Sequence, residues 1–153
     1  MTEDDGGHSP FVKNPFFYLV VGGDRSFFGS LNINVQYYLR QVSDYHDPQG
    51  QADPVVRAVA IQEAVVNNQF KRFQHGLTFR ISDKWLNETL EGEIAGIVSL
   101  TRSDFVIKPK LVYAINDAWK STLGANLLGG EDTAFYGRLH DNSAVFFEVK
   151  FSF

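Results

Sequence analysis

Cysteine is absent from this chain, so it can build neither a disulfide framework nor a thiolate metal site. No run approaches the roughly 18 to 20 consecutive apolar residues of a membrane-spanning helix; a crossing of the bilayer would have to use strands. Basic residues hold no majority. The 14 Lys and Arg stand against 18 Asp and Glu, a net charge of −4, which argues against nucleic acid as a partner. The opening MTEDDGGHSP lacks the basic region and the apolar stretch of a secretory signal, and residues 1–14 are expected to be a disordered or loop segment. His8, His46, His75 and His140 show no metal-ligand spacing. Asp132, His140, Asp141 and Ser143 share one loop without a nucleophile elbow, and Gly22-Gly23 has no phosphate-loop context. No metal, cofactor or catalytic residue is therefore expected, and the chain reads as something other than an enzyme.

What is present is alternation. In Ser143 to Phe153 (SAVFFEVKFSF), Val145, Phe147, Val149, Phe151 and Phe153 alternate with Glu148, Lys150 and Ser152 over the segment's second half, and the segment ends on an aromatic. Successive side chains of a strand point to opposite faces, so one face is wholly apolar and the other becomes charged. The design recurs. Leu31, Ile33, Val35, Tyr37 and Leu39 alternate with Asn32, Asn34, Gln36, Tyr38 and Arg40, and Leu77, Phe79 and Ile81 with Gly76, Thr78 and Arg80. Leu90, Ile94, Val98 and Leu100 share a face with Gly92 and Gly96, against Glu91, Glu93, Ala95, Ile97, Ser99 and Thr101; two further segments, around Lys108-Lys110 and around Lys120, repeat it. With the apolar run Phe16 to Val21, seven strands are predicted, at roughly 15–24, 29–43, 70–82, 88–102, 104–116, 118–129 and 143–153.

The connections alternate in length. Ser82-Asp83-Lys84 and Asn116-Asp117 read as tight turns, whereas Val42 to Asn68 and Gly129 to Asn142 are long. Short turns at one rim and long loops at the other are the habit of a transmembrane barrel. Phenylalanine occurs 14 times and aromatics make up 14% of the chain, in keeping with a lipid-facing surface and interfacial girdles. The expected fold is thus all-β, an antiparallel transmembrane meander over residues 15–153. Bacterial barrels usually have an even strand number from about eight upward, so seven strands are expected to be the C-terminal part of a larger barrel.

Three phrases carry a family resemblance: the closing SAVFFEVKFSF, the turn-and-tryptophan pairs SDKW and NDAW, and DTAFYGRLHDNSA before the last strand. Over residues 15–153 the chain resembles the C-terminal region of Gram-negative porin-like outer-membrane barrels, those of the alginate-export type and their large relatives. The resemblance implies a bacterial outer-membrane location, the lipid bilayer as surroundings, passive passage of a small hydrophilic solute, and recognition by the barrel assembly machinery through Val145, Phe147, Val149, Phe151 and Phe153.

Apolar positions facing lipid would turn Arg40, Arg80, Glu91, Glu93, Lys108, Lys110, Lys120, Glu148 and Lys150 toward a wet interior, because Arg or Lys in hydrocarbon costs about 2–4 kcal/mol near the midplane. These are the expected pore-lining residues. Six of the nine are basic, which favours anionic solutes; pairing of the charges across strands as structural ladders is the alternative. Trp85 and Trp119, each placed after a tight turn at the start of a strand, are expected at the headgroup boundary, with Tyr37 and Tyr113 completing girdles.

One stretch departs from alternation. Asp53 is a plausible N-cap, Pro54 fits the first helical position, and Val55 to Val66 follows without turn residues, predicting a helix over about 54–66 in an outer loop. It would either narrow the pore or pack on the barrel mouth or a neighbouring loop. Two other classes share the strand pattern: a soluble β-barrel carrier of a small apolar ligand, with the faces exchanged, and an outer-membrane lipid-modifying enzyme.

Overall fold

The computed structural model describes residues 13–153; the expected disordered or loop segment at 1–14 falls almost wholly outside that range. Seven strands form one antiparallel sheet in chain order: β1 (Phe16–Phe27), β2 (Leu31–Val42), β3 (Phe73–Trp85), β4 (Leu90–Ser99), β5 (Asp104–Ala114), β6 (Trp119–Gly129) and β7 (Ala144–Phe151). Among the described residues a single α-helix, α1 (Pro54–Asn67), lies between β2 and β3. Each predicted strand has its counterpart, and the helix stands where capping and proline placed it. The described residues pack as two compact units, one comprising residues 13–20 with Tyr38–His75, the other Val21–Tyr37 with Gly76–Phe153.

In the first unit local hydrogen bonds dictate the structure. Asp53 accepts from the backbone N–H of Val55 at 2.7 Å and of Val56 at 3.2 Å, satisfying amides that the first helical turn leaves unpaired. Pro54 has no N–H to lose there. The helix stops at Asn68, whose φ of 53° is left-handed, a conformation asparagine tolerates better than most residues. Ala60 and Ala64 are buried while Val55, Val59 and Val66 face outward, so the small-residue stripe is the packed side of α1. A 3-10 turn at Pro48–Gly50 packs against the helix. Asn14 and Gln69, both buried, pair reciprocally: the Asn14 N–H donates to Gln69 Oε1 at 3.0 Å, and Gln69 Nε2 donates to the Asn14 carbonyl at 2.7 Å.

In the second unit the periodicity of the strands governs. Strands β3 to β7 pair in a continuous register, with Ile81 opposite Ile94, Ile94 opposite Pro109, Leu111 opposite Leu123 and Leu123 opposite Phe147. These residues share one face, and most of their side chains are exposed on it. Two glycines there serve close packing across strands: a Cβ on Gly92 would come within 2.7 Å of the Trp85 ring, and one on Gly96 within 2.8 Å of the Phe79 ring. The aromatic rings lie over glycine backbone, an arrangement that shields it and pins register.

The first tight turn differs from the sequence expectation. Ser82, Asp83 and Lys84 continue β3, paired with Glu93, Gly92 and Glu91, and the reversal occurs at Leu86–Thr89 instead. Leu86, Asn87 and Glu88 all have positive φ, between 54° and 65°, and the turn is closed by the Thr89 hydroxyl donating to the Leu86 carbonyl at 2.7 Å. The Lys84–Glu88 ion pair at 3.2 Å clips it from the side. Polar composition marked the neighbourhood of the turn, but cross-strand pairing of Lys84 with Glu91 and of Trp85 with Leu90 sets its place.

Candidate functional site

The polar face of β3–β7 is built by the same register. From the tight-turn end, Ala114 opposes Lys120, and Lys120 opposes Lys150. In the next row Lys84 opposes Glu91, Glu91 opposes Val112, Val112 opposes Thr122 and Thr122 opposes Glu148. Ser82, Glu93, Lys110, Gly124 and Phe146 make the third row, and Arg80, Ala95 and Lys108 contribute to the fourth. Thr78, Ile97, Val106 and Leu128 follow. Eight of the nine expected pore-lining residues therefore share one face of this unit: Arg80, Glu91, Glu93, Lys108, Lys110, Lys120, Glu148 and Lys150. Lys84 joins them, having been assigned to a turn by its sequence neighbours.

Arg40 belongs to the first unit and has a local role there. Its guanidinium lies 4.1 Å from the centroid of the Phe16 ring and donates to the Asn68 carbonyl at 2.9 Å, just past the end of α1, where a cation is favoured by the helix dipole.

The charges pair unevenly. Glu93 takes two cations at once: Arg80 donates through Nε at 2.8 Å and Nη2 at 2.5 Å to Oε2, while Lys110 Nζ lies 3.2 Å from Oε1. A carboxylate held by the planar guanidinium on one oxygen and an ammonium on the other is a ladder element across three strands. Lys108, one row away and exposed, has neither an ion pair nor a hydrogen bond among the described residues. The structural-ladder alternative thus describes Arg80 and Lys110 but not Lys108.

The loop between β6 and β7 folds over the far end of the same face. Asp104, almost completely buried at the start of β5, accepts from the Tyr136 backbone N–H at 2.9 Å, and Arg102 donates to the Thr133 carbonyl. Ala134 is fully buried, and the loop ends in a 3-10 turn at Gly137–Asn142 whose exit is fixed by Ser143 Oγ accepting from the Leu128 N–H at 3.0 Å. Burial pushes the Tyr136 phenol above the ordinary tyrosine range, with the Asp104 carboxylate adding to the effect. Between loop and sheet lies a cleft of about 510 Å³ lined by Phe79, Ala95, Gly96, Ile97, Val106, Lys108, Asn126, Leu128 and Tyr136. In sequence this loop reads as a plain outer connection; the one signal of its docking is Asp104, a lone carboxylate at the start of an otherwise apolar strand.

On the apolar face Trp85, Tyr113, Trp119 and Phe151 stand at the tight-turn end, Phe79 and Phe147 lie mid-strand, and Phe105 is at the opposite end. Trp85 closes β3 rather than opening β4, a correction that follows from the shifted turn. Trp85 and Tyr113 both oppose Leu90, and Trp119 opposes Phe151 with ring centroids 4.8 Å apart; the Phe153 ring lies 6.2 Å beyond Phe151. Tyr37 departs from the expectation: β2 runs from Leu31 to Val42, which puts this residue mid-strand rather than at a rim. Val145, Phe147, Val149 and Phe151 are all exposed along the apolar side of β7.

Among the described residues no group of His, Asp and Glu is gathered as a metal site, and no helix is long and apolar enough to cross a membrane. Comparison with protein-family models, with curated proteins and with solved structures finds no match.

Proposed function

We propose that this chain is a membrane-spanning, C-terminal portion of a porin-like outer-membrane β-barrel, and that its polar face borders a passage for small hydrophilic solutes with a preference for anions. One observation carries the reading. In β3–β7 most of the exposed large apolar side chains stand on one face, while every Asp, Glu, Lys and Arg except Asp83, beside the turn, belongs to the other. Contiguous apolar surface of this kind needs a cover, since soluble proteins rarely expose more than a few hundred Å² of it. Hydrocarbon is a cover that asks for strands of about 9–11 residues when tilted, and β4, β5 and β6 have 10, 11 and 11. Trp85, Tyr113, Trp119 and Phe151 at one end of those strands fit a headgroup belt.

Closure of such a barrel would take strands beyond these seven, and the exposed aromatic side of β7 suits recognition by the barrel assembly machinery. Among the polar-face charges of this unit the six basic residues Arg80, Lys84, Lys108, Lys110, Lys120 and Lys150 outnumber the four acidic ones, Glu91, Glu93, Asp104 and Glu148, which supports the preference for anions.

The test is purification of the chain with and without detergent, followed by light scattering and circular dichroism. A β-rich species that is monodisperse only in detergent or lipid is expected. A β-rich monomer stable in plain buffer overturns the membrane reading and puts a soluble carrier, with its apolar face turned inward, in its place. Ion conductance across planar bilayers by a complete barrel containing these strands then decides between passage and a purely structural wall.

A further inference from the structure

We propose that the cleft between the β6–β7 loop and the polar face is a binding site for a small organic anion with a compact apolar body, with Lys108 as the charge-recognising residue. The site lies within the second unit, and the inference holds whether or not the strands cross a membrane.

Charge accounting comes first. Three cations, Arg80, Lys108 and Lys110, occupy adjacent rows around one carboxylate, Glu93. Glu93 holds Arg80 and Lys110 on its two oxygens and so draws both away from the cleft. Asp104, the carboxylate at the opposite end, is committed to the Tyr136 backbone N–H. Lys108 therefore enters the cleft wall with its charge unanswered among the described residues, beside Asn126, which can donate or accept.

The rest of the lining decides the class of anion. Ile97, Val106 and Leu128 form an apolar floor, Val106 being buried, and Tyr136 from the loop joins them in the lining. A hydrated inorganic ion would leave that floor in contact with water, and a polyhydroxylated sugar would leave its hydroxyls without partners there. An aromatic or short aliphatic carboxylate satisfies both halves: its body covers the floor and its charge meets Lys108. The volume of about 510 Å³ lies in the ordinary range for small-ligand pockets, about 300–1,000 Å³. The roof is fixed by the Asp104–Tyr136 and Arg102–Thr133 hydrogen bonds, so the cleft is preformed.

The probe is 4-fluorobenzoate, followed by fluorine NMR line broadening against the full chain, in non-ionic detergent micelles or in buffer according to its solubility. 4-Fluorobenzyl alcohol, with the same ring and no charge, and inorganic phosphate, with charge and no ring, are the comparisons. Saturable binding of the benzoate is expected, at least tenfold tighter than either. Lys108→Gln should weaken it tenfold or more, Lys108→Arg should retain it, and Tyr136→Ala should weaken it severalfold. Lys120→Gln, on the same face near the tight turns, should leave it unchanged. Should Lys108→Gln lose the parental circular dichroism spectrum, Asn126→Ala replaces it, with severalfold weakening expected. Equal affinity for the alcohol or for phosphate, equal sensitivity to Lys120→Gln, or indifference to the folded cleft variants would overturn the site.

Discussion

The two units of this chain solve the burial problem by opposite means. In the unit containing α1, polar groups are spent inside: the Asn14–Gln69 pair is buried, Asp53 and Asn68 cap the helix, and Arg40 reaches the carbonyl beyond its end. In the unit containing β3–β7, polarity is sorted by face, and the apolar face has nothing from its own unit to cover it. The first unit carries the cost of ordering in specific hydrogen bonds; in the reading proposed above, an external apolar phase covers the second. The lesson concerns cause. A period of two specifies faces, but only the surroundings decide which of them is the inside.

The largest expected effect breaks that comparison directly. Leu123 opposes Leu111 and Phe147 on the apolar face, while its neighbour Thr122 lies between Val112 and Glu148 on the polar one. In lipid vesicles Leu123→Arg should destabilise the sheet by about 2–4 kcal/mol, the cost of a cation near the bilayer midplane. Thr122→Arg should change stability by less than about 1 kcal/mol, as for substitutions facing water. Denaturant titration of both variants in the same vesicles is the measurement. The reverse order, with Thr122→Arg the costlier, would mean that the polar face is the one kept from water, and would overturn the assignment of faces.

A smaller effect separates the first unit from the second. Gln69→Ala strips Asn14 of both backbone partners in a buried position, for which about 1–3 kcal/mol is expected. Amide hydrogen exchange should show the loss around Asn14 and residues 68–70, with protection of β5 and β6 unaltered. Equal loss of protection in β5 and β6 would show that the units do not unfold separately and would dissolve the distinction.

Much of this was legible in the sequence because alternation is a local signal that tertiary context here reinforces. Leu111 and Leu123, or Lys110 and Glu93, were assigned to their faces by period alone, and the register keeps them there. Asp53-Pro54 announced the helix for an equally local reason. What escaped depended on partners distant in the chain. The tight turn moved to Leu86–Thr89 because Lys84 and Trp85 pair with Glu91 and Leu90, and no property of Ser82-Asp83-Lys84 reveals that. Alternation gives no account of Phe146, which stands on the polar face with its ring over Gly124. The β6–β7 loop reads as any polar connection until Asp104, more than thirty residues from Tyr136, is seen to hold it down. The unequal status of the cations was hidden likewise: Lys108 and Lys110 are indistinguishable by period, and the position of Glu93 opposite one of them makes the difference.

The smallest effect sharpens the same contrast at a single residue. Asp53 serves two amides of the first turn of α1, and Pro54 behind it already fixes the entry backbone. Asp53→Ala therefore removes the side-chain acceptor while leaving the start of the helix defined by proline, and about 1 kcal/mol should be lost. Asp53→Asn keeps an acceptor oxygen without the charge; it should recover most of that loss, since amide and carboxylate caps are nearly equivalent. The readout is helical circular dichroism intensity with the unfolding midpoint. Recovery by asparagine would assign the stability of α1 to hydrogen-bond satisfaction, the currency of the first unit. If asparagine behaves as alanine does, the carboxylate acts through its charge on the helix dipole, and this unit too would be organised by electrostatics.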